Sequence, residues 1–307
     1  MTEWWAKNRR QILQLAGTIL AIILLVSLLK EEGWNEILTA FKKVTVADLL
    51  WVALLFVISR IATAWRWHIL LRSGGVDIRF KDSLALTFTG LFASNFLPTT
   101  IGGDVVRLAG AIQMGFDRAV CLASIAADRL IGMLGMTMTL PVGIVQSWSL
   151  LQTSSASPLT AGWFQNPITF LKRTFSIFGI WLRKPLALFG SLAFSWVHMF
   201  CLFGSIYIFI DDLGSHISFW MVAGLWSLTY FITLIPISIN GYGLQELSFT
   251  FFMSNVAGLM PSVGLSVAVL LRAFFILSSL PGAFLLPSVL ASMTKKDEES
   301  FSADIFQ

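Results

Sequence analysis

Asn95-Phe-Leu-Pro98-Thr-Thr-Ile-Gly102-Gly103-Asp104 breaks an apolar run at a proline, passes through a glycine pair and restarts on an acid. A second stretch, Ile235-Pro236-Ile-Ser238-Ile-Asn240-Gly241-Tyr-Gly243-Leu-Gln-Glu246, repeats that punctuation. Irregular backbone at membrane depth leaves N–H and C=O groups without partners, so it persists only where protein or a water-filled cavity covers it. Matched Gly/Pro interruptions in the two halves of a chain point to a transporter's binding site.

Working outward from the breaks, composition fixes the solvent. Hydrophobic residues fill 56% of 307 positions and charged residues only 12%, against about 25% charged in soluble domains. Mean hydropathy is +0.78. These values exclude an ordinary soluble enzyme. Apolar stretches near the roughly 20 residues needed to span a bilayer lie at 12–29, 49–71, 119–146, 186–210, 217–239 and 262–290. A shorter stretch, 84–97, runs into the first break. The fold class is therefore an all-α polytopic membrane protein of six spans, rising to eight if the broken segments cross fully.

Lys7, Arg9 and Arg10 precede the first apolar run, and no small-residue cleavage site follows it. This is the pattern of an uncleaved anchor with a cytoplasmic N-terminus. Arg66, His68, Arg72, Arg79 and Lys81 fall at or after the end of the next span, where the same rule wants them. Gln152–Pro167 reads as an external loop, and the basic, aromatic Leu171–Pro185 as an amphipathic interfacial helix. Residues 1–290 form one integral membrane domain, and 291–307 a charged cytoplasmic tail expected to be disordered.

The net charge of +4 suits anionic lipid headgroups. No basic face with interleaved aromatics outside the membrane offers a nucleic-acid surface. Trp4, Trp5, Trp34, Trp148 and Trp163 sit near span ends as interfacial anchors. Cys121 and Cys201 lie in apolar runs without metal-type spacing and read as small core residues. No metal or other cofactor is implied.

Each break is preceded by an apolar helix (84–97, 217–235) and followed by a shorter one (104–115, 243–257), then by a long apolar helix (119–146, 262–290). A spanning helix stands before each set, at 49–71 and 186–210. Residues 48–147 and 186–290 are accordingly expected to be two copies of one unit, with 12–29 as an addition. In inverted orientation, the two broken, re-entrant hairpins would enter from opposite faces and meet near the midplane.

Asp104, Arg107, Asp128, Arg129, Glu246 and Arg272 lie in or beside apolar sequence. Exposed to lipid, the six would cost about 15–20 kcal/mol on insertion scales. They must face inward, pair, or line a wet cavity. Asp104 and Arg107 are spaced to share a helix face and pair. Asp128 shares a face with Gly132 and Gly135, which permits close helix packing. Taken singly, Asp104 could be an N-cap, Glu246 half of a capping arrangement, and Asp128–Arg129 part of a structural ion pair. Together they describe a site. Gly102-Gly103 and Gly241/Gly243 permit unusual backbone angles and close approach. Restarting helix N-termini and the arginines Arg107, Arg129 and Arg272 suit a phosphate. Asp104, Asp128 and Glu246 balance those cations, bind a headgroup amine, or carry a proton.

At these residues the chain resembles the lysylphosphatidylglycerol synthase transmembrane family, the flippase-like domain also fused in multiple-peptide-resistance proteins. The resemblance rests on Trp65-Arg66-Trp67 with Leu70-Leu71 and Gly74, and on Asn95-Phe-Leu-Pro98 with Gly102-Gly103-Asp104 and Arg107. It continues through Asp128-Arg129, Pro236-Ile-Ser238 with Gly241, Gly243 and Glu246, and Arg272. It implies a bacterial or archaeal inner-membrane protein that moves a phospholipid or polyprenyl-linked lipid between leaflets. Arg66, Asn95 and Ser238 join the candidate binding residues on this basis, with Pro98 and Pro236 as the hinges. The synthase members carry a soluble C-terminal aminoacyl-transferase domain; this chain ends soon after its last span, so synthase activity is not expected.

A non-enzymatic lipid translocase is thus the leading reading, with an anionic or zwitterionic membrane lipid as substrate. A homodimer and a lipid-synthase partner are both compatible with it. The alternatives are a membrane enzyme acting on a lipid phosphate and a scaffold for a separate lipid synthase. Against the enzyme, His68, His198 and His216 lack metal-ligand spacing. No GxSxG, HExxH or phosphate-loop pattern occurs.

Overall fold

The computed structural model describes residues 42–95, 97, 102–148, 184–235 and 238–285, with isolated positions at 19, 23, 26 and 27. Pro98, Pro236, the segment 149–183 and the tail from 286 lie outside the described residues, as does nearly all of the 12–29 span. The described residues form eight α-helices and no strand. In chain order they are α1 (Val46–Ser73), α2 (Phe80–Ser94), α3 (Gly102–Gln113), α4 (Arg118–Gln146), α5 (Pro185–Asp212), α6 (Phe219–Thr233), α7 (Leu244–Asn255) and α8 (Pro261–Ser279).

Local chemistry sets the helix ends. Thr45, Asp117 and Ser218 accept the backbone N–H three residues on and so cap α1, α4 and α6. Pro185 and Pro261 occupy the first positions of α5 and α8, where no N–H is needed. α1 and α5 are both followed by a glycine at positive φ, Gly75 and Gly214, and α3 and α7 likewise by Gly115 and Gly258.

The helices fall into two matching sets of four. α1 and α5 are 28 residues each, α2 and α6 15 each, and α3 and α7 12 each. α4 and the apolar stretch Pro261–Leu285 that begins with α8 are the long fourth members, of 29 and 25 residues. Val46 and Pro185 are 139 positions apart, as are Phe80 and Phe219. Among the described residues four helices (α1, α4, α5 and the α8 stretch) are long and apolar enough to cross a membrane. The 217–239 run is not a full span. α6 stops at Thr233, and its 15 residues reach only about 22 Å at 1.5 Å per residue, because the second break opens immediately after it.

α1 and α5 pack against each other in opposite directions. Ser73 O accepts from Lys184 Nζ at 2.5 Å, Arg66 O from Ser191 Oγ at 3.3 Å, and Ser59 Oγ meets His198 Nδ1 at 2.6 Å. Ser59 and His198 are both the fourteenth residue of their 28-residue helices. The equivalent midpoints of the two sets therefore touch. An antiparallel pair of equivalents is exchanged by a two-fold axis perpendicular to both, so the halves have opposite orientation. The other contacts follow suit: α2 packs on α3 and α6 on α7, while α4 packs on α6 and α8 on α2.

Small residues allow these close crossings, as in membrane bundles generally. A Cβ on Gly224 would lie 2.6 Å from Gly143 N and 2.8 Å from its Cα. In the other half, a Cβ on Gly282 would overlap the Phe88 carbonyl. Buried serines (Ser191, Ser195 and Ser205 of α5, Ser59 of α1) fill the shared interior. Large apolar side chains such as Leu50, Trp51, Val57, Leu186 and Phe189 point outward, which is the face a lipid solvent takes.

The Gly143–Gly224 crossing yields a direct check. Gly143→Val or Gly224→Val should lower stability by about 2 kcal/mol through overpacking, read as a fall in melting temperature in detergent. A variant that melts with wild type would show that α4 and α6 are not held this closely.

Candidate functional site

Each half places an acid in the first turn after its break. Asp104 is the third residue of α3 and Glu246 the third of α7. Each acid pairs with an arginine on the next long helix, Asp104 with Arg129 and Glu246 Oε1 with Arg272 Nε at 2.5 Å. Arg129 and Arg272 are both the twelfth residue of their helices, α4 and α8. The two ion pairs are thus equivalents in a duplicated frame.

In the second half the pair is embedded in the break. Asn240 has φ 50°, and Gly241 and Gly243 have φ 71° and 74°. That run of left-handed backbone is one that glycine tolerates and asparagine reaches more readily than most residues. Glu246 Oε2 accepts from Gly243 N at 2.8 Å, closing the start of α7. Arg272 reaches the Gly241 carbonyl at 3.4 Å, and its guanidinium lies 4.6 Å from the Tyr242 ring centre. Glu246 is therefore both a cap and an ion-pair partner. Ser238 is buried, and its Oγ has no hydrogen-bond partner among the described residues.

In the first half the pair extends into a network. Asp104 Oδ1 accepts from Arg107 at 3.2 Å, and Arg107 donates through two nitrogens to Asp128 Oδ2 at 3.2 Å. Asp128 Oδ1 accepts from Arg66 Nε at 2.7 Å, and Arg66 also reaches Ser195 Oγ at 3.3 Å. Three arginines and two aspartates thus alternate from α1 through α4 to α3. Arg107 lies 4.1 Å from the Trp67 ring centre, and Trp67 is held by donating to Ser124 Oγ at 3.1 Å. Asp128 is 2% exposed and Arg107 7%, so each charge relies on its partners rather than on water. Arg66 is not a flanking residue of the span. α1 continues to Ser73 and carries Arg66 inside.

The first-break glycines act differently from those of the second. Gly102 and Gly103 are already helical, the opening residues of α3. A Cβ at Gly103 would collide with Ser94 Oγ and the Gly90 carbonyl, so this glycine serves the α2–α3 crossing. Gly132 brings α4 against Arg66, and Gly135 brings it against Met199 of α5.

The two breaks are joined by hydrogen bonds. Asn95, which ends α2, donates through Nδ2 to Ser279 Oγ at 2.8 Å. Its carbonyl accepts from Tyr242 OH of the other break at 3.3 Å. The structure therefore forms two charge sets, Arg66–Asp128–Arg107–Asp104–Arg129 and Glu246–Arg272, with no ion pair between them among the described residues. The histidines are dispersed: His68 bonds Ser83, His198 bonds Ser59, and His216 pairs with Asp211.

Residues 12–282 match the family model of the lysylphosphatidylglycerol synthase TM region. The protein belongs to that family, which gives it a membrane location and a role connected with membrane lipid. Comparison with curated proteins gives no significant match.

At the positions equivalent to Arg66, Arg107 and Asp128, the second half carries Ser205, Phe249 and Leu271. Asp128→Asn should cost about 3–5 kcal/mol by leaving Arg66 and Arg107 under-compensated. The triple variant Arg66→Ser, Arg107→Phe, Asp128→Leu should melt above that single variant, since it removes the three linked charges together and leaves the Asp104–Arg129 pair in place. Equal or lower stability of the triple variant would show that the network holds the fold.

Proposed function

We propose that this protein is a lipid translocase. It moves a phospholipid or polyprenyl-linked headgroup between leaflets along the polar interior between its two inverted halves, without covalent chemistry. The observation that carries the reading is the duplication of one device. An acid at the start of the helix after each break pairs with an arginine at the same position of the next long helix, once in each orientation. Inverted repeats whose broken helices meet in the interior are the architecture by which secondary transporters alternate access. In the second half the pair also stands beside left-handed backbone at Asn240, a conformation that costs energy and clusters at functional sites.

On this reading α2–α3 and α6–α7 are re-entrant hairpins. α2 starts and α3 ends beside the C-terminal end of α1, while α6 starts and α7 ends beside the C-terminal end of α5. Because α1 and α5 are antiparallel, these are opposite faces. Arg72, Arg79, Lys81, Arg118 and Lys184 gather at the first face, whereas Asp48, Asp211 and Asp212 lie at the second with Lys42 and Lys43. The positive-inside rule then puts the first face in the cytoplasm, together with the N-terminus. A bacterial or archaeal plasma membrane is the setting this implies.

Purified protein in vesicles should accelerate the transbilayer movement of a labelled phospholipid over protein-free vesicles. Arg129→Ala and Glu246→Gln should each slow it by about tenfold or more, through loss of charge-assisted bonds of about 1.5–3 kcal/mol each. Both variants should remain monodisperse in detergent. Acceleration absent for every headgroup tried would remove the reading. Chemically altered lipid in mass spectra of the same vesicles would replace it with an enzymatic one.

A further inference from the structure

Arg66, Arg107, Arg129 and Arg272 each have a carboxylate partner. Arg60 has none among the described residues, yet it is only 6% exposed. It follows Ser59 on α1, and so sits beside the contact of the two helix midpoints. Its Nε donates to Ser278 Oγ of α8 at 2.9 Å. Its guanidinium lies 5.8 Å and 5.3 Å from the Phe56 and Phe275 ring centres. Ser278 adjoins Ser279, which Asn95 of the first break holds, and Asn95 is in turn held by Tyr242 of the second. Arg60 therefore reaches the polar seam where the breaks join, but belongs to neither ion-pair set.

A buried guanidinium without a counter-charge is costly. Aromatic faces return about 0.5–2 kcal/mol, less than the several kcal/mol that desolvating an ion takes. The whole interior shares the imbalance. Among the described residues the largely buried Arg60, Arg66, Arg107 and Arg272 are set against Asp104, Asp128 and Glu246, one positive charge in excess even before the part-exposed Arg129 is counted. A bound anion would offset the charge of Arg60.

We propose that Arg60 is a phosphate-binding residue, taking the phosphate of a net-anionic lipid on its two terminal nitrogens while Ser278 fixes the fork through Nε. This rests on the lipid-translocation reading and narrows its substrate to headgroups whose phosphate charge is not cancelled by an amine. A zwitterionic lipid would bring its own cation into an interior already in excess, and a cationic lipid would add a further one.

The test uses purified full-length protein in detergent with three ligands: dihexanoylphosphatidylglycerol, dihexanoylglycerol and inorganic phosphate. Wild type should bind the phosphatidylglycerol at least about tenfold more tightly than the phosphate-free diacylglycerol, a difference of about 1.4 kcal/mol. Arg60→Met should lose that preference and melt at or above wild type, because an unpaired buried cation gives way to an apolar side chain. Arg60→Lys should keep only part of the preference, since it retains the charge without the fork. An unchanged preference in Arg60→Met would overturn the proposal, and so would a marked loss of folding in that variant, which would make Arg60 structural. Inorganic phosphate binding as tightly as the lipid would support the phosphate site but overturn its assignment to lipid. Wild-type transbilayer movement in Arg60→Met would overturn this inference alone. Selective binding by a wild type that moves no lipid would overturn the transport reading alone.

Discussion

A charge in an apolar interior must find a partner, and the architecture of this protein follows from how it does so. Asp104 and Glu246 stand where a helix restarts after a break, and Arg129 and Arg272 reach them from the next long helix. The pairs tie each short helix to its long neighbour at a point where the backbone has lost its regular hydrogen bonds. In the second half the acid does both jobs at once, accepting the Gly243 N–H with one oxygen and the arginine with the other. Removing Glu246 would strand the Arg272 charge and open the helix end together, whereas removing Arg272 would strand the Glu246 charge alone.

Around these points the chain builds the same frame twice, in opposite directions, on the antiparallel α1–α5 contact. The duplication is of frame, not of content. Where the first half has Arg107 and Asp128, the second has Phe249 and Leu271, both fully buried. The same helix positions thus support either a charge relay or plain apolar packing. The second half shows that this frame can be built without the extra charges, and their presence in one half alone invites a functional account.

Much of this was legible in the sequence. Membrane class, the positions of the breaks and the need of six charges in apolar sequence to pair, face inward or line a wet cavity follow from composition and punctuation. Hydropathy misread 217–239 as a span because Leu234 and Ile235 stay apolar beyond the end of α6, and nothing in their side chains marks the turn. Position along the run also makes Arg66 read as a flank, since only the packed helices show that this residue, in the last third of α1, turns toward Asp128. Arg60 was missed for the opposite reason: a single arginine inside Phe56–Ala64 has no motif, and only burial without a carboxylate distinguishes it. Two further signals lie in the sequence itself. Gly75 and Gly214 are 139 positions apart and Gly115 and Gly258 143 apart, and aligning the halves on these helix-ending glycines superposes Asp104 on Glu246 and Arg129 on Arg272 to within a residue or so.

The asymmetry between halves has a thermodynamic consequence on the transport reading. Two identical inverted halves would have two ways of closing, one toward each face, and exchange of the halves would make them equal in energy. Such a device would favour neither leaflet. Here one half carries a net positive five-member network and the other a neutral pair, while Arg60 sits beside the midpoint contact of α1 and α5. The two closed forms therefore bury different charge, and a bound anion changes their relative energies by its differential interaction with each. The residues that break the symmetry are then the ones that set how the empty and lipid-bound forms are populated.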